Sequence, residues 1–186
     1  MVAESMHYSD KELLEIFRTE GRSDYAFNLI VRKYQERLYW HIRRILLDHN
    51  DTDDTLQNVF MKAWQALDSF REASGLYTWL YRIATNEALS LLKQKRRKYF
   101  LPLIDFEKQL VNIIDGDEYF DGDELQKKLQ KALLSLPEKQ RIVFNMKYFD
   151  EMKYEEIAEV MDTSVGALKA SFHHAVKKIE KFLSKD

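Results

Sequence analysis

The chain has no cysteine, two prolines and five glycines among its 186 residues. Without thiols it can form no disulfide, iron–sulfur cluster or thiolate metal site. With so little of the turn punctuation that a many-stranded sheet demands, helices become the default. No apolar run approaches the roughly 20 residues of a membrane-spanning helix and no signal peptide is recognisable, so the expectation is a soluble, cytoplasmic chain without membrane insertion. What is present is 45% hydrophobic residues, enough for globular cores, in a length that allows one domain or two small ones.

Net charge is also scarce, at −2. Spread evenly, that would argue against a nucleic-acid binder, but the charge is partitioned. Residues 1–24 carry three basic and six acidic groups, 25–98 thirteen and eight, 105–124 one and eight, and 125–186 twelve and nine. Two basic modules flank an acidic connector, which fits two DNA contacts better than one uniform surface.

The chain is organised around residues 153–175, KYEEIAEVMDTSVGALKASFHHA. Ile157, Ala158, Met161, Val165, Leu168 and Phe172 recur at helical intervals in two runs interrupted by Asp162-Thr163-Ser164, which predicts two helices and a tight turn. Ala158 is small where helices cross closely, Asp162 suits a left-handed turn position, and Ser164 can cap the second helix. An ordinary helical hairpin would share these features, but the second helix also carries Lys169, Ser171, His173, His174, Lys177 and Lys178. Those donors could meet phosphates and base edges, and no acid stands between Ser164 and Ile179. Preceded by LPEKQRIVFNMKYF at 136–149, the block resembles region 4 of the sigma-70 family in its small extracytoplasmic-function (ECF) branch. Leu136-Pro137-Glu138, Arg141, Val143-Phe144, Tyr154 to Ala158 and Ser164-Val165-Gly166 stand in family order. The resemblance implies minus-35 DNA binding through Ser164, Val165, Lys169, Ser171, His173, His174 and Lys177. Lys153 departs from the usual capping Ser, at a cost of about 1 kcal/mol if uncompensated. Ser171, His174 and Val176 replace common arginines.

Upstream, Phe27, Ile30, Val31, Tyr34, Leu38, Ile42, Ile45 and Leu46 trace one helical face, so residues 25–48 read as a core helix, with Tyr39, Trp40 and His41 as packing residues. A second helix is expected to start at Asp51, capped by its carboxylate and favoured by Asp53 and Asp54 near the helix dipole. Leu56, Val59, Phe60, Ala63 and Leu67 form its buried stripe. That leaves Asp53, Asp54, Gln57, Asn58, Met61 and Lys62 on a free surface. No converging His or third acid makes Asp53 and Asp54 a metal or acid–base site. The stretch resembles family region 2.2, with Asp54, Gln57, Phe60 and Trp64 in matching spacing, which implies that this surface binds the β′ clamp helices of RNA polymerase core.

After the loop at 70–75, residues 76–98 continue as a helix with Leu76, Leu80, Ile83, Ala84, Ala88 and Leu91 inward and a basic end at Lys93, Lys95, Arg96, Arg97 and Lys98. The basic end also reads as dipole compensation. Trp79, Arg82, Asn86 and Lys93 share a stripe, which suits single-stranded DNA because a ring replaces lost base stacking while cations hold the backbone. Trp79 fits a core position equally well. By resemblance these are regions 2.3 and 2.4, which implies minus-10 recognition and melting by Phe70, Arg71, Ser74, Trp79, Arg82, Asn86 and Lys93.

The expectation is therefore an all-α protein. Residues 1–24 form an N-terminal segment, 25–98 region 2, 99–124 an acidic linker, and 125–186 region 4. No room exists for regions 1.1 or 3. The resemblance implies a transcription initiation factor that binds RNA polymerase core at the clamp helices and β flap, reads promoter DNA, has an anti-sigma protein as a further partner, needs no cofactor and catalyses nothing. A stand-alone helix-turn-helix regulator is the alternative. The linker's charge further predicts a compact free form with its DNA-binding faces partly covered.

Overall fold

The computed structural model describes residues 8–71, 74–98 and 124–184, and no strand occurs among them. The connector acids Asp115 to Asp123, its apolar pieces at 101–106 and 110–114, and Glu72 and Ala73 of the 70–75 loop lie outside the described residues.

Helix α1, Asp10–Phe17, opens with a capping box: the Ser9 hydroxyl accepts from the Glu12 amide at 3.2 Å, and the Glu12 carboxylate accepts from the Ser9 amide at 2.7 Å. Leu13, Leu14 and Phe17 turn inward. Asp10 ties α1 to helix α2, Ser23–Leu46, by accepting from Lys33 Nζ at 2.7 Å and Tyr34 Oη at 2.5 Å. Burial, then that hydrogen bond, push the Tyr34 phenol well above its ordinary range. A single-sided stripe of Leu29, Ile30, Leu38, Ile42 and Ile45 holds α2 in the core.

Helix α3, His49–Ala66, starts two residues before Asp51, which corrects the expected boundary. Leu47 ends α2 at φ 63°, and Asp48 then caps α3 by accepting from the Asp51 amide at 2.9 Å. Asp51 is thus the capped residue, and its own carboxylate meets Lys95 near the end of helix α4, Leu76–Lys98. Helices α2, α3 and α4 pack on one another, with α1 against α2.

The second half comprises α5, Glu124–Leu134; α6, Glu138–Tyr148; α7, Tyr154–Met161; and α8, Val165–Leu183. Ala132, Leu133, Leu136, Phe144, Ala175 and Ile179 form its own core. Helices α7 and α8 are the helix-turn-helix. Asp162 adopts φ 48°, ψ 56°, the left-handed conformation expected of it, and the Ser164 hydroxyl accepts from the Ala167 amide at 3.3 Å. Lys153 supplies no cap, yet Glu156 accepts from the Lys153 amide at 2.7 Å, so half of a capping box survives the missing Ser.

The two halves are packed together. One apolar cluster runs from α1–α4 into Ile142, Val143, Met146, Met152, Ile157, Val160 and Leu168, with α7 lying on α4 and α6 touching α2. The halves meet through this apolar seam; the acidic connector, whose charge was expected to draw them together, lies outside the described residues.

Candidate nucleic-acid interface

Helix α4 presents its expected stripe, but not all of it is free surface. Arg82, Asn86 and Lys93 are exposed, with Arg71 exposed before the helix and Ser74 half-buried at its entry. Trp79 is half-buried, and its ring lies 4.9 Å from that of Phe70, which is only 8% exposed. Trp79 thus packs on Phe70 on the core side and keeps partial exposure. At the basic end, Lys95 is engaged with Asp51, leaving Arg96, Arg97 and Lys98 exposed. Facing this stripe is the helix-turn-helix: Ser74, Thr78 and Arg82 share a cleft with Ala158, Glu159, Asp162, Thr163 and Ser164.

On α8, Lys169, His173, His174 and Lys177 are exposed, while Val165 and Ser171 are half-buried. Ser164 is exposed but its hydroxyl serves as the helix cap. Lys169 Nζ sits 5.7 Å over the Tyr154 ring, which draws its cation toward the start of α7. These residues form a surface of donors with no acid from 164 to 179.

The third surface is on α3. Asp53, Asp54, Gln57, Asn58, Met61 and Lys62 are all exposed, Met61 at 54%. Lys62 pairs with Glu87 of α4 at 2.5 Å, and His49 approaches Asp53 at 3.4 Å. Trp64 is 39% exposed and packs edge-on against Phe17 and Phe27, with centroids 5.7 and 5.0 Å away. Leu56 and Phe60, expected in the core stripe, are half-buried at its margin. Among the described residues, no three His, Asp or Glu side chains converge as a metal site.

Two features escaped the sequence reading. The Ser9–Glu12 capping signature was there to be read. Asp150, in the loop between α6 and α7, instead meets His41 across 109 residues, and no local pattern could have paired them.

Residues 30–98 match the family described as Sigma-70 region 2, and residues 126–179 that described as Sigma-70, region 4. The chain is similar to the ECF RNA polymerase sigma-E factor of Escherichia coli, 34% identical over 184 residues covering 95% of each chain. It is also similar to the RNA polymerase sigma-H factor of Pseudomonas aeruginosa, 32% identical over 184 residues, covering 94% of this chain and 93% of the relative. Among solved structures, CnrH in complex with the cytosolic domain of CnrY has the same fold, with TM-score 0.71 and 23% identity over 95% of this chain and 98% of that one. So does the sigma factor RpoE of Bartonella quintana in complex with the anti-sigma factor NepR, with TM-score 0.67 and 24% identity over 86% and 98%.

Proposed function

Because the chain belongs to the sigma-70 family, in its ECF branch, and is a transcription initiation factor that directs RNA polymerase to promoters, we propose how its surfaces divide that work. Residues 25–98 act as region 2 and 125–186 as region 4, joined by the acidic linker at 99–124. The α3 face of Asp53, Asp54, Gln57, Asn58, Met61 and Lys62 binds the polymerase β′ clamp helices, and region 4 meets the β flap. On α8, Lys169, Ser171, His173, His174 and Lys177 read the minus-35 element, with Ser164 and Val165 at the helix entry. Arg71 and Ser74 before α4, and Trp79, Arg82, Asn86 and Lys93 along it, take the minus-10 element as a single strand, with Phe70 packed against the Trp79 ring. The protein works in the cytoplasm, itself performs no catalytic step, and has an anti-sigma protein among its partners.

The observation that carries this reading is the α4 stripe: a braced ring with cations and an amide at helical spacing. Stacking a base on such a ring is worth about 1–3 kcal/mol, comparable to the few kcal/mol that extruding one base costs. A melted strand can thus make a stacking contact that the paired, stacked bases of a duplex cannot. Both elements cannot be held in the packed arrangement, however. Promoter elements about 17 base pairs apart are separated by roughly 58 Å at ~3.4 Å per pair, whereas α7 lies directly on α4. The linker can extend about 85–90 Å, so polymerase must pull the halves apart.

Run-off transcription with core polymerase lacking any sigma subunit and a genomic promoter library tests the reading. Promoter-specific transcripts that appear only when the chain is added are expected; unchanged core output would overturn it.

A further inference from the structure

At the seam between the halves, His41 of α2 has no solvent exposure. Its Nδ1 lies 2.9 Å from Asp150 Oδ2, and its Nε2 lies 2.9 Å from Thr85 Oγ1 on α4. The Thr85 hydroxyl has one hydrogen and donates it to the Tyr81 carbonyl at 2.7 Å, so toward His41 it can only accept. A carboxylate likewise only accepts. Both ring nitrogens must therefore donate, and only the imidazolium has two N–H groups. The second oxygen of Asp150 accepts from Arg44 Nη1 at 2.9 Å, leaving the carboxylate 4% exposed between two cations.

We infer that His41 and Asp150 form a proton-dependent latch that holds α7 on α4: closed while His41 is protonated, released when it is neutral. A neutral ring would turn a bare nitrogen toward either a carboxylate or a hydroxyl whose hydrogen is already committed, at a position with no solvent exposure. The other groups lining this seam are Asp10 from α1, Lys33, Tyr34, Glu36, Arg37 and Arg44 from α2, Tyr77 and Tyr81 from α4, Glu151 and Lys153 from the loop, and Glu156 from α7. Burial pushes all three phenols up, so they stay neutral in this range. Of the residue types present, only histidine ordinarily changes charge between about pH 5 and 8. The closed form binds one proton more than the open form. Raising the pH therefore favours the open form. That release moves the helix-turn-helix away from a promoter-binding stripe rests on the function proposed above; the latch itself does not.

The chain has no cysteine, so Gln35→Cys on α2 and Lys181→Cys at the end of α8, both exposed positions, accept a donor–acceptor dye pair in the full-length protein. Energy transfer should fall as pH rises from about 5.5 to 8.5, and adding His41→Gln should remove that dependence. A pH-independent signal in the parent, or an unchanged slope with His41→Gln, would overturn the latch. Nitrogen-15 NMR of the unsubstituted chain needs no variant to fold. At the highest pH where the dyes report the closed form, both His41 ring nitrogens should carry hydrogen, and one bare nitrogen would overturn the proposal. Neither readout involves DNA, so failure of the latch and failure of the promoter reading are distinguishable.

Discussion

Asp162 and Ser164 show how far single residues could be read from sequence. A left-handed conformation costs most non-glycine residues about 1–2 kcal/mol, and Asp is one of the few that enter it routinely; the break in apolar spacing put it there, and φ is 48°. The Lys153 departure looked costly for lack of its partner: Glu156 meets the Lys153 amide from within the helix, which the sequence contains but cannot weigh. Two predictions belong to this scale. Lys169→Ala and His174→Ala should weaken use of minus-35-dependent promoters by about 1–3 kcal/mol where a base contact is lost, while Arg82→Ala and Asn86→Ala should impair minus-10 recognition and opening. A premelted minus-10 bubble should rescue only the α4 pair; rescue of the α8 pair alone would reverse the assignment. At the other end of the chain, the Ser9 hydroxyl and then the Ser9 amide hold the Glu12 carboxyl below the ordinary carboxylate range. A depressed value means that its contribution is complete above the unfolded carboxylate range and is lost as pH falls through the folded one. Hydrogen-exchange protection of α1 amides should thus drop on acidification more than that of α2, and Glu12→Gln should level the difference.

Helix α3 was legible as an element because its apolar stripe is strong, but its start was not. Asp48 and Asp51 are both good caps three residues apart, and the choice falls to Leu47, whose positive φ ends α2 one residue before Asp48. Helix α1 was left unread although Ser9 and Glu12 carry its signature, because eight residues hold too little periodicity to stand out and its security comes from Asp10 contacting α2. The outward face of α3 sets the prediction at this scale. Asp54→Lys or Gln57→Ala should weaken binding to core polymerase by about 1–2 kcal/mol, the cost of one interfacial hot spot, with native circular dichroism. Lys62→Ala should change folding stability by less than about 1 kcal/mol, because its partner Glu87 is met at a largely exposed pair. Titrating labelled core polymerase with each variant checks this, and unchanged affinity for Asp54→Lys would remove the face from the interface. Trp64 is a poorer probe, since it also supports Phe17 and Phe27.

For the whole molecule, segment charge gave two modules and a reason for them to associate, while the seam that joins them stayed invisible. Its members come from α2, α4 and the α6–α7 loop, and their pairing depends on how α7 settles on α4. What closure does to DNA binding can be tested apart from the proton. Arg82 shares its cleft with Glu159 and Asp162, all three exposed, so Glu159→Gln with Asp162→Asn removes the acids facing it, and Asn keeps the left-handed turn accessible. Exposed charge pairs are worth about 0–1 kcal/mol. With two acids removed, the double variant should therefore raise the free protein's affinity for a single-stranded minus-10 oligonucleotide by no more than about thirtyfold. The gain should shrink as salt rises past ~0.15 M and the screening length falls below about 8 Å. Removing acids near a DNA site also strengthens binding directly, so the distance between halves must be followed with the same dye pair. If the cleft acids help hold the halves closed, affinity and separation rise together. Affinity that rises at constant separation would mean that those acids repel DNA without holding the halves closed.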